Sequence, residues 1–271
     1  MSIKYYDIGV NLFSKQFQKD KKKPIDIMIS CKEKDIGMIV ISNNMTESYK
    51  TQLFVEFANA AIVPYPVYGT VGIHPHSADS AKKEDFNTLK EYVHKIPQIV
   101  AIGECGLDYD RNFSTKENQI RCFEKQICLA EELNLPLYLH ERKAVGDFVK
   151  RFKNHSEICK KSVVHCFTGD RATLEKYIDM GFSIGITGWI CDDRRAKDLR
   201  EAVKSLPLDK VMIETDSPFL TPMNKGLSRV NYPWNVKYVA EDLAKYMSVS
   251  VEELIKAAKD NTEKFFNIKG E

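Results

Sequence analysis

The chain has 271 residues, of which 43% are hydrophobic and 29% charged, and its 40 basic and 38 acidic side chains leave a formal net charge of +2. This length suits a single α/β barrel, and the composition is that of a globular protein that buries a large core without staples. The near balance of charge excludes a chain-wide polycation, so any basic surface that meets nucleic acid has to be local.

Short apolar runs alternate with amphipathic ones. The first predicted strand, residues 5–12, carries Asp7 and ends at Asn11. The lysine run at 21–23 reads as a solvated loop. A strand over 38–43 precedes a helix over 46–61. The third strand, 67–74, ends in Gly72-Ile73-His74-Pro75-His76, and a helix over 83–94 follows. The fourth, 99–104, ends in IGECGLD at Glu104. Between 112 and 134, Ser114-Thr115-Lys116-Glu117 reads as a capping box, and Ile120, Phe123, Ile127 and Ala130 recur at helical spacing. Strands over 135–140, 162–167, 182–188 and 211–216 complete the set. Helices over 171–180, 194–205, 236–246 and 251–266 lie between and after the later ones.

Eight such units predict an α/β fold with a parallel sheet apolar on both faces, a single (β/α)8 TIM barrel over residues 1–271. An open doubly wound sheet is the alternative. It usually carries a glycine-rich phosphate turn after its first strand, where this chain has Gly9-Val10-Asn11-Leu12-Phe13. Seven cysteines without a C-x-x-C pair read as reduced, packed thiols, which fits a cytoplasmic protein. MSIKYYDIGV has no signal-peptide core, and no apolar run reaches membrane-spanning length.

A barrel places its active site at the carboxyl ends of its strands. Glu104, His140, His165 and Asp216 are predicted to end strands four, five, six and eight. Alternation puts Glu104 on the face of Val100 and Ile102, His140 with Tyr138, His165 with Val163, and Asp216 with Met212 and Glu214. The neighbouring Cys105 and Cys166 then point away and pack. One histidine at a strand end is more often a packed core residue. A carboxylate inside IVAIGECGL, by contrast, needs a cationic partner or a raised pKa. Two imidazoles with two carboxylates suit a divalent metal that activates water and polarises an ester.

The strings DIGVNL, GIHPH, AIGECGLDYDRNFST, LHER, VVHCFTG, GITGWICDDRR, IETDSP and SRVNYP occur in this order over essentially the whole chain. The sequence thereby resembles the TatD family of metal-dependent deoxyribonucleases, in the amidohydrolase-like barrel superfamily. The resemblance implies a nuclease that removes nucleotides from the 3′ end of single-stranded DNA, with RNA as a further candidate. It implies Mg²⁺, with Mn²⁺ or Zn²⁺ as alternatives, held by Glu104, His140 and His165. Asp216 contacts the metal or the attacking water and takes its proton, alone or with Glu104. Many relatives carry D-x-H-x-H on the first strand, where this chain has Asp7, Gly9 and Asn11. Asn11 offers only a neutral oxygen, so the expectation is one well-held ion, or a second that arrives with substrate phosphate.

Trp189 and Arg229 are the expected contacts to a single strand, base on ring and phosphate on guanidinium. His74 and His76 are candidates to donate to phosphate. Arg194, Arg195, Lys225, Asn231 and Tyr232 are further candidates, and Arg111, Arg142 and Lys143 weaker ones. The expected partner is single-stranded nucleic acid, without a membrane, and the expected state is a monomer. The alternatives are a metal-dependent hydrolase of another small ester or amide, and a nucleic-acid-binding barrel with weak activity.

Overall fold

A computed structural model describes residues 3–60, 65 and 67–268. Eight parallel strands form one sheet in chain order: β1 (Tyr5–Val10), β2 (Ile36–Val40), β3 (Val67–Val71), β4 (Ile99–Asp108), β5 (Leu137–Arg142), β6 (Ser162–Val164), β7 (Ser183–Ile186) and β8 (Val211–Ile213). Helices separate the strands, which is the strand order of a (β/α)8 barrel. All five residues of β2 and all ten of β4 are buried, as parallel strands covered on both faces require.

The chain divides into two compact units. The first comprises Met1–Val40, Cys166–Asp179 and Ser183–Glu271, and so contains β1, β2, β7 and β8. In it, β8 returns to β1: Val10 bridges Ser217, and the Asn11 N–H donates to the Ser217 carbonyl at 2.8 Å. Helix Val251–Phe266 starts where the Ser250 hydroxyl accepts from the Glu253 N–H at 3.1 Å, and it ends on Asn267 in the left-handed region. This helix and Val236–Met247 bury Val239, Leu243, Leu254 and Ala258. Pro24 opens a helix over Pro24–Lys32, which sequence periodicity did not reveal; Pro at that position is already set for a helix.

Asp7 is fully buried in this unit. Its Oδ1 accepts from the Thr215 N–H at 2.8 Å and from the Gly9 N–H at 3.1 Å, and its Oδ2 meets the Thr215 hydroxyl. Burial outweighs these hydrogen bonds and pushes its pKa from an ordinary 3.8 up to about 8. The folded state therefore holds a proton that the unfolded chain releases. Stability is expected to be fully present below pH 3.8 and to fall as pH rises through about 8, at up to about 1.4 kcal/mol per pH unit. Urea unfolding at several pH values measures this slope, and Asp7→Asn is expected to flatten it.

The second unit comprises Ile41–His165 and Met180–Phe182. Phe123, Phe148, Phe152 and Phe182 form its aromatic core, with ring centroids 5.0–6.1 Å apart. Helix Lys116–Leu133 is capped by Thr115, whose hydroxyl accepts from the Asn118 N–H at 3.4 Å. The cap is one residue later than the capping-box pattern indicates, because the Ser114 hydroxyl is used elsewhere: it donates to the His76 carbonyl and accepts from the Asp79 N–H. Two buried amides on this helix fasten strand ends. Gln126 pairs with both backbone groups of Ile73, at 2.8 and 2.9 Å. Gln119 pairs with both backbone groups of Asp108, at 2.9 and 3.1 Å.

The predicted helix over 194–205 is shorter, Lys197–Ala202 followed by a 3₁₀ turn. The last predicted residue of the 46–61 helix lies outside the described residues; the helix spans Met45–Ala60. All seven cysteines are free thiols. Among the described residues no helix is long and apolar enough to cross a membrane.

Candidate metal centre and nucleic-acid contacts

Glu104 does not end its strand. β4 continues to Asp108, and a register shift interrupts its pairing with β5: Gly103 faces Tyr138 and Cys105 faces Leu139. Glu104 is thus the extra residue, and its N–H donates instead to the Ser42 carbonyl at 3.0 Å. Strict alternation from Val100 does not reach it. Gly103 and Gly106, with φ of +149° and +144°, allow this path. A Cβ on Gly106 would lie 1.9 Å from the His140 carbonyl oxygen. Gly106→Ala is therefore expected to cost about 3 kcal/mol, in urea unfolding, and to loosen the strand that carries Glu104.

Three imidazoles converge on one oxygen of Glu104. His165 Nε2 lies 2.7 Å from Oε1, His140 Nδ1 2.9 Å and His74 Nε2 3.2 Å. His140 ends a buried run on β5, and His165 follows β6, where its N–H continues the ladder to the Leu139 carbonyl at 2.9 Å. Burial opposes the charge on Glu104, but His165 and His74 hold its carboxyl well below the usual range. Burial likewise opposes ionisation of Asp108, and its contacts with His140 and His76 outweigh that. His140, which burial alone would pull down, is raised by Asp108 and Glu104.

This donor set fits a divalent cation. One carboxylate oxygen has two lone pairs and cannot be served by three N–H groups. An imidazole nitrogen without a proton facing that oxygen is repelled, and a shared cation removes the conflict. His140 is oriented for this. Its Nε2 lies 3.4 Å from Asp108 Oδ2, too long for a good hydrogen bond but close enough to favour the proton on that side. Nδ1 is then the nitrogen turned toward Glu104, the arrangement in which an outer carboxylate orders a ligating histidine. Ligand atoms of His74, Glu104 and His140 all lie within 4.8 Å of one another.

His74 has the same tautomer but the opposite orientation, with Nε2 rather than Nδ1 turned toward Glu104. Its Nδ1 accepts from the His76 N–H at 3.0 Å, and burial pushes its pKa down to about 4. A neutral ring with Nδ1 accepting carries its proton on Nε2, so His74 is a donor. His76 Nε2 is fixed to Asp108 Oδ2 at 2.7 Å. Asp108, whose Oδ1 also accepts from the Asp110 and Arg111 N–H groups, was not singled out from the sequence. Its signal was present as a second acid within the buried run IGECGLD.

In the first unit, Asp216 follows β8 with φ +52°. The Asn11 amide donates to Asp216 Oδ1 at 2.8 Å. Asn11, expected from the sequence to offer an oxygen to a metal, thus presents its N–H₂ to a carboxylate. Cys166 donates its N–H to Glu214 Oε1 at 2.5 Å. Arg195 lies over the Trp189 ring, 4.0 Å from its centroid, and Asp192 holds both Arg194 and Arg195. Lys225 is paired with Asp242 and Glu241, and Tyr232 with Asp20, while Asn231 is buried and donates to the Thr215 carbonyl. Those three brace the loop after β8. Arg229 is exposed and lines a cavity of about 470 Å³ with Arg195, Phe219 and Met223. In the second unit, Arg142 and Lys143 both pair with Asp110.

Residues 6–267 match the TatD related DNase family. The chain belongs to the TatD-related DNase family. A relative from Erwinia amylovora, called a 3′-5′ ssDNA/RNA exonuclease TatD, is 40% identical over 97% of this chain and 100% of its own length. One of the same description from Pantoea vagans is 38% identical over 97% and 99%. Among solved structures, a TatD homologue of Escherichia coli superimposes with a TM-score of 0.86 at 25% identity, covering 99% of this chain and 100% of that one. In this TatD-family chain the fold expected from the sequence is present, and Glu104, His140 and His165 are brought together.

Proposed function

We propose that this TatD-family protein is a metal-dependent hydrolase that removes nucleotides from the 3′ end of single-stranded DNA, and of RNA. The observation that carries this reading is the convergence of His140, His165 and His74 on one oxygen of Glu104, in a chain whose relatives bear the name of that activity. Glu104, His140 and His165 would hold one well-bound divalent cation, with a second arriving with substrate phosphate. When bound, such a cation supplies Lewis-acid polarisation of a phosphodiester and lowers the pKa of water. The family resemblance is the ground for Mg²⁺; two imidazoles beside one carboxylate also suit Mn²⁺ or Zn²⁺.

The chain's own groups do the rest. His74, neutral and protonated at Nε2, donates to a non-bridging phosphate oxygen. Asp216, its carboxylate steadied by the Asn11 amide, takes the proton of the attacking water. The water oxygen bonds to phosphorus as the bond from phosphorus to the sugar oxygen breaks, and the departing sugar oxygen takes a proton from solvent. Trp189 and Arg229 are assigned to base and phosphate of the strand. We assign the protein to the cytoplasm as a monomer of one functional domain. With a net charge of +2, binding should be weak and should fall as salt rises.

The test uses oligonucleotides labelled at the 3′ or the 5′ end, with Mg²⁺ or EDTA. Metal-dependent shortening from the 3′ end is the expected result. Binding without shortening under any metal would sink the proposal in favour of a binding protein, and turnover of small esters or amides alone would favour another hydrolase.

A further inference from the structure

Phe113 is 66% exposed, more than any other large apolar side chain among the described residues. Exposed rings are common on mobile loops, but this loop is braced on both sides. The Asn112 amide donates to the Tyr109 carbonyl at 2.9 Å. The buried Ser114 hydroxyl ties the loop to the His76 carbonyl at 3.0 Å and to the Asp79 N–H at 3.1 Å. Thr115 donates both its N–H and its hydroxyl to Asp79 Oδ1 at 3.0 Å. An apolar ring is thus held rigidly in water, where its hydration is unfavourable.

Its neighbours give the direction. The Phe113 ring stands at 87° to that of His76, with centroids 4.8 Å apart. His76 meets His74 at 4.2 Å, and His74 reaches Glu104 at 3.2 Å. A row of rings therefore leads from Phe113 to the candidate metal centre, all within the second unit. The other members of this row are histidines and a carboxylate, which can serve a phosphate, while Phe113 is its one wholly apolar face and can serve a base. Arg111, exposed on the same loop, adds a cation.

Resting on the nuclease reading, we propose that Phe113 is the stacking platform for a nucleobase next to the scissile phosphate, and that it sets how well the 3′ end is held. Stacking on an aromatic face tolerates any base, which suits an enzyme that works along a strand.

The test compares an oligothymidylate with the same strand carrying abasic residues at its two 3′-terminal positions. Phe113→Ala is expected to lower kcat/KM on the base-bearing strand by about tenfold, and to weaken binding in EDTA, read by fluorescence anisotropy, by a similar factor. On the abasic strand it should equal the wild type. Phe113→Trp should retain both, and Phe113→Leu should behave as alanine. Equal loss on both strands, or no loss on either, overturns the inference while leaving the nuclease reading standing. If the wild type shortens neither strand with any divalent metal, both fall.

Discussion

Glu104→Gln is expected to abolish binding of Mn²⁺ in isothermal titration and to slow shortening of single-stranded DNA by at least about a thousandfold. That loss corresponds to several kcal/mol of charge stabilisation, the contribution expected of a metal at a phosphoryl centre. The substitution preserves shape and removes charge. Glu104 Oε1 is the point on which His74, His140 and His165 converge, and the amide replaces that anion with a neutral group. His140, whose proton affinity is raised by Asp108 and Glu104, loses one of its two supports. Circular dichroism separates loss of the centre from loss of fold. A variant that still binds Mn²⁺ and still shortens DNA would show that the imidazole cluster serves only packing.

Asp216→Asn is expected to lower kcat by about a hundredfold to ten-thousandfold, the range for removal of a general base, with KM and Mn²⁺ affinity little changed. Asparagine suits this position on two grounds. Asp216 has φ +52°, a region that asparagine adopts readily. Its side-chain oxygen can still accept from the Asn11 amide, which now donates to Asp216 Oδ1 at 2.8 Å. The variant keeps its local structure and loses only the ability to take a proton, so the acidic limb of the pH–rate profile should disappear with it. An unchanged profile would assign the proton to another group.

Much of the centre was legible in the string of residues. Buried acids and histidines at the ends of apolar runs are costly unless something charged meets them, and that alone singled out Glu104, His140 and His165. Alternation was a poorer guide. It placed Glu104 by counting from Val100, but the register shift between Gly103 and Cys105 breaks the count. The chain tolerates that shift because Gly103 and Gly106 have no Cβ to strike β5. The predicted cap at Ser114 failed for a related reason: a hydroxyl with two distant partners is not available to the helix beside it.

The amino-acid sequence by itself determined the eight apolar strands, their alternation with helices and the ligand-type residues in or just after their carboxyl-terminal parts, because burial periodicity and the desolvation of charge act through near neighbours along the chain. Only the tertiary structure decided which nitrogen of His74 carries a proton, that Asp108 orders His140 and His76, that Asn11 faces Asp216, and that Phe113 stays in water beside His76. The last three depend on groups far apart in sequence meeting within hydrogen-bond or ring-contact distance, and no local pattern encodes such a meeting; the first rests on the turn that brings the His76 N–H to His74.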